Sequence, residues 1–62
     1  MNDLECVRKE AIKVFGSEVK ADRWLTTYHM VFDTEPINLL GTAQGVVEVM
    51  KVLNAIKHGV FL

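Results

Sequence analysis

The last third of this 62-residue chain constrains the fold more than any other part of the sequence. Pro36 suits the first turn of a helix, because its fixed φ is already helical and its missing N–H would be unpaired there. Gly41 then predicts a stop, Thr42 predicts an N-cap, and Gly59 predicts the end of a long amphipathic helix. This order predicts two consecutive helices, and it contains no residue pattern that performs chemistry.

The first half of the chain predicts two further helices. Apolar residues recur at the spacing of one helical face from Leu4 to Phe15. Gly16 supplies a left-handed stop, and Ser17 caps a second helix whose apolar face includes Trp24. We therefore predict an all-α fold, a small compact bundle of about four helices in which the long C-terminal helix is central. The predicted helices cover approximately residues 3–15, 18–26, 36–40 and 43–58.

The predicted core draws large apolar side chains from every helix. Its members are Phe15, Trp24, Leu25, Leu40 and Leu53. We expect Trp24 to be the central aromatic residue, because it shares a helical face with Ala21 and Leu25. Residues 27–34 are too short and isolated to pair as a sheet, so we predict a loop that tucks one large apolar side chain against the helices. The candidates are Met30, Val31 and Phe32.

The fourth predicted helix is apolar over more than half of its circumference, which is more than one buried face requires. One of its two apolar stripes consists of Gly45, Val49, Val52 and Ile56. A glycine inside a helix costs about 1 kcal/mol relative to alanine, and Gly45 is explained if another backbone approaches closely. The helix is either a central core helix wrapped by the other three or a helix with a second surface covered by another chain. We favour the second interpretation, so this stripe is the predicted self-association surface of a homo-oligomer.

Composition and charge exclude several classes of function. The net charge is −1 with acidic and basic residues interspersed, so we expect no direct nucleic-acid binding. The apolar runs are too short to span a membrane. The single cysteine, Cys6, excludes an internal disulfide and favours a reducing cytoplasm. Half of the residues are hydrophobic, and so short a chain without a covalent or metal cross-link commonly needs a partner to complete its burial.

The sequence predicts no catalytic residue, no cofactor and no metal site. His29 and His58 are far apart, and neither stands at metal-ligand spacing from Cys6 or from a carboxylate. A lone cysteine of this kind is far more often a packing residue or an inert surface thiol than a nucleophile. Asp22 and Arg23 fit either a partner contact or a solvated helix edge, and the solvated edge is the commoner case for exposed charges.

Taken in order, these residues resemble the Xre/MbcA/ParS-like antitoxin toxin-binding domain. In that family one helix ends in Phe-Gly, a helix with Ala-x-x-Trp-Leu follows, and a Pro-x-x-Leu-Leu-x-Thr-x-x-Gly segment opens the last helix. The resemblance extends from about Ala11 to Leu62. The residues that carry it are Val14-Phe15-Gly16-Ser17, Lys20-Ala21, Trp24-Leu25, Pro36-Ile37-Asn38-Leu39-Leu40, Thr42, Gly45, Val49, Leu53, Ile56 and His58-Gly59-Val60-Phe61.

The resemblance implies a bacterial, cytoplasmic antitoxin of a type II toxin–antitoxin system, which binds and masks a partner toxin and self-associates. The toxins commonly paired with this domain are RES-fold enzymes that consume NAD. Family antitoxins usually carry an N-terminal helix-turn-helix domain, which we expect to be absent from residues 1–62, a single toxin-binding domain. The chain is then either one domain of a longer antitoxin or a short stand-alone version. Residues 27–34 depart from the family pattern, and we expect partner specificity to differ there.

The C-terminal tail is the predicted partner-binding site. Three apolar residues follow the helix-ending Gly59, although a chain terminus ordinarily frays and ends polar. Either they fold back on the core, or Phe61, together with His58 in the last helical turn, inserts into the toxin. The predicted partner-binding residues are His58, Val60, Phe61 and Leu62. The alternative function is a purely structural homo-oligomerisation module without a toxin partner.

Overall fold

Three α-helices and one short 3₁₀ helix build the fold in the computed structural model, which describes residues 3–59. In chain order they are α1 (Asp3–Phe15), α2 (Glu18–Leu25), the 3₁₀ helix (Pro36–Leu39) and α3 (Ala43–Lys57). Within residues 3–59, strand-like pairing is limited to one isolated bridge between His29 and Thr34. The prediction of an all-α fold is confirmed.

The predicted count of four α-helices is wrong in one element. The helix predicted at residues 36–40 is a single 3₁₀ turn of four residues, in which the Leu40 N–H donates to the Ile37 carbonyl oxygen at 3.4 Å. The predicted stop at Gly41 and the N-cap at Thr42 come directly after this segment and leave no room for a longer helix. It therefore forms hydrogen bonds from i to i+3, as short helical pieces commonly do. The second and the last helix each end one residue earlier than predicted, at Leu25 and at Lys57.

The helix ends follow the local sequence signals. Ser17 Oγ accepts a hydrogen bond from the Lys20 N–H at 3.3 Å, and Thr42 Oγ1 accepts one from the Gly45 N–H at 3.0 Å. Both predicted N-caps are therefore confirmed. Gly16 has a φ of +74°, which is the left-handed conformation that turns the chain from α1 into α2 at no steric cost to a residue without Cβ.

The buried core lies where α1, α2 and α3 meet. Its members are Val7, Ala11, Ala21, Leu25, Val49 and Leu53. Phe15, Trp24 and Leu40, which the sequence placed in the core, are only partly buried and pack against this cluster from its edge. The buried positions of α1 and α2 include the small residues Ala11 and Ala21, so the large indole of Trp24 lies beside the helix contact and not at its centre.

Ion pairs at the surface connect the helices. Arg8 Nε donates to Asp22 Oδ1 at 2.8 Å and Arg8 Nη2 donates to Glu18 Oε1 at 3.1 Å, which ties α1 to α2. The hydrogen bond from Arg8 holds the pKa of Asp22 below its usual value, and the same contacts raise the pKa of Arg8. Lys57 Nζ lies 3.8 Å from Glu10 Oε2 and links α3 to α1.

Candidate partner-binding surfaces

The predicted self-association stripe on α3 is divided between the core and the surface. Gly45 and Val49 are buried by the chain itself, whereas Val52 and Ile56 are half-buried. A Cβ on Gly45 would overlap the carbonyl oxygen of Leu39 and lie 2.7 Å from its carbonyl carbon. The backbone that approaches Gly45 therefore belongs to the 3₁₀ helix of the same chain, which corrects the expectation that another chain does so.

Part of α3 nevertheless remains accessible to another protein. Val47 is 48% exposed, and Val46 and Met50 are only partly buried where they pack against the core. The chain covers the Gly45 side of the helix more completely than the side of Val47. An additional contact to α3 would therefore use the half-buried and exposed valines.

The C-terminal end of α3 leads to the predicted toxin-binding residues. The helix ends at Lys57, and His58 is its exposed C-cap residue. Gly59 follows with a φ of +71°, as the sequence predicted for a left-handed stop. The remaining predicted members lie outside the described residues: Val60, Phe61 and Leu62.

A hydrogen-bonded turn, residues 29–34, connects α2 to the 3₁₀ helix, and we call it the exposed turn. The His29 N–H donates to the Thr34 carbonyl oxygen at 3.3 Å, and the Asp33 N–H donates to the His29 carbonyl oxygen at 3.0 Å. Asp33 has a φ of 56°, a left-handed conformation that aspartate adopts more readily than most residues. The Tyr28 hydroxyl donates to Asp33 Oδ1 at 2.7 Å, and this hydrogen bond raises the pKa of Tyr28.

The exposed turn separates its apolar side chains into one anchor and two exposed residues. Phe32 packs against the core, and its ring centroid lies 6.1 Å from that of Trp24 in an edge-on arrangement. Met30 and Val31 are 89% and 70% exposed. Of the three candidates for tucking against the helices, Phe32 does so. The hydrogen-bonded backbone presents Met30 and Val31 to solvent in a defined position.

An open groove of about 280 Å³ lies beside α2, and we call it the aromatic groove. Its lining residues are Phe15, Lys20, Arg23, Trp24, Thr27 and His29. The Trp24 ring centroid lies 5.8 Å from that of Phe15 and 5.1 Å from that of His29. His29 Nε2 is 2.9 Å from the Trp24 carbonyl oxygen, and because this oxygen can only accept, Nε2 carries the hydrogen.

Two exposed cations give the aromatic groove a positive rim. Lys20 and Arg23 are both exposed, and among residues 3–59 no carboxylate lies within ion-pairing distance of either side chain. The sequence prediction missed this groove, although a signal existed. Lys20, Arg23, Trp24 and Thr27 follow one another at the i, i+3, i+4, i+7 spacing of one helical face.

Asp22 and Arg23, which the sequence left as partner contacts or a solvated helix edge, have different surroundings. Asp22 pairs with Arg8 on α1, so its carboxylate serves the contact between two helices. Arg23 lines the aromatic groove instead. Adjacent residues of α2 therefore face different neighbours, and only Arg23 is positioned to meet a partner in the groove.

The part of the chain that the structure describes offers no features of a metal site or a membrane span. Residues 3–59 contain no group of three or more His, Cys, Asp or Glu side chains that could hold a metal ion. Every helix found in this range is too short or too polar to cross a bilayer. Cys6 is an exposed residue of α1. The surfaces that distinguish this part of the chain are the aromatic groove, the exposed turn and the accessible side of α3.

Comparison with known proteins assigns most of this chain to one family. Residues 10–59 match the antitoxin Xre/MbcA/ParS C-terminal toxin-binding domain. No curated protein and no solved structure matches the chain. The matched range contains α2, the 3₁₀ helix, α3, the exposed turn and all lining residues of the aromatic groove. The chain therefore belongs to the Xre/MbcA/ParS family of antitoxin C-terminal toxin-binding domains.

Proposed function

We propose that this chain binds and masks a partner toxin, and that the toxin is a RES-fold enzyme that consumes NAD. The observation that carries the proposal is the family match over residues 10–59 to an antitoxin toxin-binding domain. The RES-fold partner follows from the toxins with which domains of this kind are commonly paired. Masking requires only that the bound chain blocks access to the enzyme's active site, so the antitoxin performs no reaction.

The end of α3 and the residues after it form the proposed contact with the toxin. His58 is exposed where the helix ends, so the chain leaves α3 at the surface. Three apolar residues follow Gly59 in the sequence, and one of them is Phe61. Aromatic side chains contribute a large share of the energy in many interfaces, which makes Phe61 the proposed anchor.

Co-expression with the adjacent gene tests this proposal, which predicts that this gene encodes a RES-fold enzyme. The tagged enzyme should retain the chain through affinity capture and size-exclusion chromatography. Deletion of residues 60–62 should abolish retention while leaving the helical circular dichroism and the melting temperature nearly unchanged. A wild-type chain that elutes apart from the enzyme contradicts the toxin-binding proposal. A truncated chain that is still retained contradicts only the assignment of the contact to the tail.

Self-association is a second proposed property, and the accessible side of α3 supports it. Val47 is 48% exposed, and Val52 and Ile56 are half-buried, so these side chains can bury further area against a second copy. Gly45 and Val49 already belong to the chain's own packing. In this proposal they position the helix and do not themselves meet the partner copy.

Sedimentation velocity tests the self-association. The wild-type chain should sediment as a dimer or larger species at micromolar concentration. Val52→Glu should give a folded monomer, because an unpaired carboxylate in an apolar interface costs more than the contact gains. Val19→Glu is the matched control, since Val19 is 70% exposed on α2, and it should leave the sedimentation unchanged. A monomeric wild-type chain would overturn both this property and the alternative of a purely structural module.

A further inference from the structure

We propose that the aromatic groove is a second docking site for the toxin, and that it takes an apolar side chain flanked by aspartate or glutamate residues. This inference rests on the proposed toxin-binding function. It adds a surface on α2 to the contact assigned to the end of α3. No lining residue of the groove belongs to that earlier set.

The size of the groove limits what it holds. Its volume is about 280 Å³, at the lower edge of the range of about 300–1,000 Å³ that is usual for pockets enclosing small molecules and cofactors. The groove is also open along one side, so it would leave such a ligand largely in solvent. One or two side chains projecting from a protein segment fit it better.

The lining of the groove selects an apolar side chain. The rings of Phe15 and Trp24 line the groove, and their centroids lie 5.8 Å apart. Aromatic rings pack favourably against apolar or aromatic side chains. His29 donates its Nε2 hydrogen to the Trp24 carbonyl oxygen. In the neutral ring this is the single N–H donor, and it is already used within the domain. The inner part of the groove favours packing over polar recognition.

The rim of the groove selects negative charge beside that side chain. Lys20 and Arg23 have no carboxylate partner among residues 3–59, whereas Arg8 is paired with two carboxylates. The planar guanidinium of Arg23 can bind a carboxylate through two hydrogen bonds. No acidic residue lines the groove, so a basic segment would find no opposite charge among the lining residues.

The groove is held in shape by hydrogen bonds of the domain itself. Thr27 Oγ1 donates to the Arg23 carbonyl oxygen at 2.5 Å, and the His29 N–H donates to the Thr34 carbonyl oxygen at 3.3 Å. A preformed site loses less conformational freedom on binding than a mobile one. His29 also begins the exposed turn, so the exposed Met30 and Val31 directly follow a groove residue in the sequence.

Affinity measurements on a charge-reversed groove test the inference. The product of the adjacent gene, which is the proposed RES-fold toxin, is titrated with the wild-type chain, with Lys20→Glu/Arg23→Glu, and with the control Lys9→Glu/Lys13→Glu. The control residues are exposed on α1, lie outside the groove and have no ion-pair partner among residues 3–59. Both double variants change the net charge equally, and circular dichroism checks that both remain folded.

The groove variant should raise the dissociation constant by about tenfold or more, as expected when a like charge meets a partner's charge. The control should stay close to the wild-type value. Added salt should weaken the wild-type complex and have little effect on the groove variant, because its complementary pairs are lost. Among overlapping short peptides of the enzyme, those that bind the wild-type chain should carry an apolar residue next to Asp or Glu.

Four results would overturn the inference, and they separate it from the function on which it rests. If the groove variant binds with wild-type affinity, the groove is not a docking site, and the proposed toxin binding is unaffected. Equal weakening in both double variants assigns the effect to overall charge. A groove variant that loses only self-association in sedimentation assigns the groove to a second copy of the chain. A wild-type chain that does not bind the enzyme removes the proposed function together with the groove.

Discussion

Two of the junctions between helices are formed by different kinds of contact. At the α1–α2 junction Arg8 forms exposed ion pairs with Asp22 and Glu18, which water and salt can partly replace. At the junction of the 3₁₀ helix with α3, the buried Gly45 lies against the backbone of Leu39. Backbone in close contact leaves no room for another atom. The exposed ion pairs of the first junction therefore tolerate substitution, whereas the backbone contact of the second does not.

This difference separates the part that maintains the fold from the part available for recognition. The aromatic groove is lined by residues of the α1–α2 side, including Phe15 and Trp24, where contacts are partly exposed and charged. Changes of charge there should alter partner binding while the core remains intact. Changes at Gly45 should disturb the placement of α3, which supplies Val49 and Leu53 to the core, and only then affect binding.

Among the substitutions that compare the two junctions, Gly45→Ala should have the largest effect on stability. The new methyl group would overlap the Leu39 carbonyl oxygen, and we expect the free energy of unfolding to fall by about 3 kcal/mol, at the upper end of the usual cost of overpacking. Urea denaturation monitored by circular dichroism measures it. Such a loss is a large fraction of the stability of a domain this small.

Gly41→Ala is the matched control for that prediction. A Cβ at Gly41 meets nothing within 4 Å, so the substitution should be neutral or should stabilise the chain by about 0.4–1 kcal/mol through a less flexible unfolded state. If both glycine substitutions destabilise the chain equally, a general effect of replacing glycine explains the result. The close contact with Leu39 would then not be the cause.

The two N-caps should show an intermediate effect that differs between the junctions. Thr42→Ala and Ser17→Ala each remove one side-chain cap, which typically costs about 1 kcal/mol. Thr42→Ala should cost more, because its hydrogen bond to Gly45 is 3.0 Å long and that of Ser17 to Lys20 is 3.3 Å long. Thr42 also caps α3, the helix whose Gly45 lies against the Leu39 backbone. Denaturation midpoints with unchanged slopes measure both, and the reverse order would contradict the comparison.

Arg8→Gln should have the smallest effect, and that effect should depend on pH and salt. Hydrogen bonding to Arg8 holds the pKa of the Asp22 carboxyl below its ordinary value. The stabilisation is therefore fully present above that value and is lost as the pH falls through the lower pKa of the folded state. The melting-temperature difference between wild type and Arg8→Gln should be constant near neutral pH and shrink in acid and in high salt. A difference unchanged from neutral pH to strong acid would contradict this role of the ion pair.

Local sequence signals were sufficient to predict most of the helix boundaries. Gly16 and Ser17 mark the turn between α1 and α2, and Pro36 and Thr42 mark the starts of the last two helices. Each of these residues acts through its own backbone conformation or through a hydrogen bond three residues away. Their effect therefore requires no knowledge of what packs against the helix. For that reason the all-α fold could be predicted without any tertiary information.

Features that depend on residues distant in the chain could not be predicted in the same way. The reason for Gly45 lies in the backbone of Leu39, which a helical wheel of α3 does not contain. The edge position of Trp24 depends on how closely α1 and α2 approach at Ala11 and Ala21. The groove was not predicted because Trp24 shares a helical face with Ala21 and Leu25, which placed it in the predicted core and apart from Lys20 and Arg23.

The proposed masking of a NAD-consuming toxin is tested by the rate of NAD loss as the chain is titrated into the purified toxin. The rate should fall in proportion to the amount of complex formed and reach its minimum when the enzyme is saturated with the chain. Binding should be followed in the same samples by size-exclusion chromatography. Continued NAD consumption at the full rate in a saturated complex would contradict masking, even though the two proteins bind.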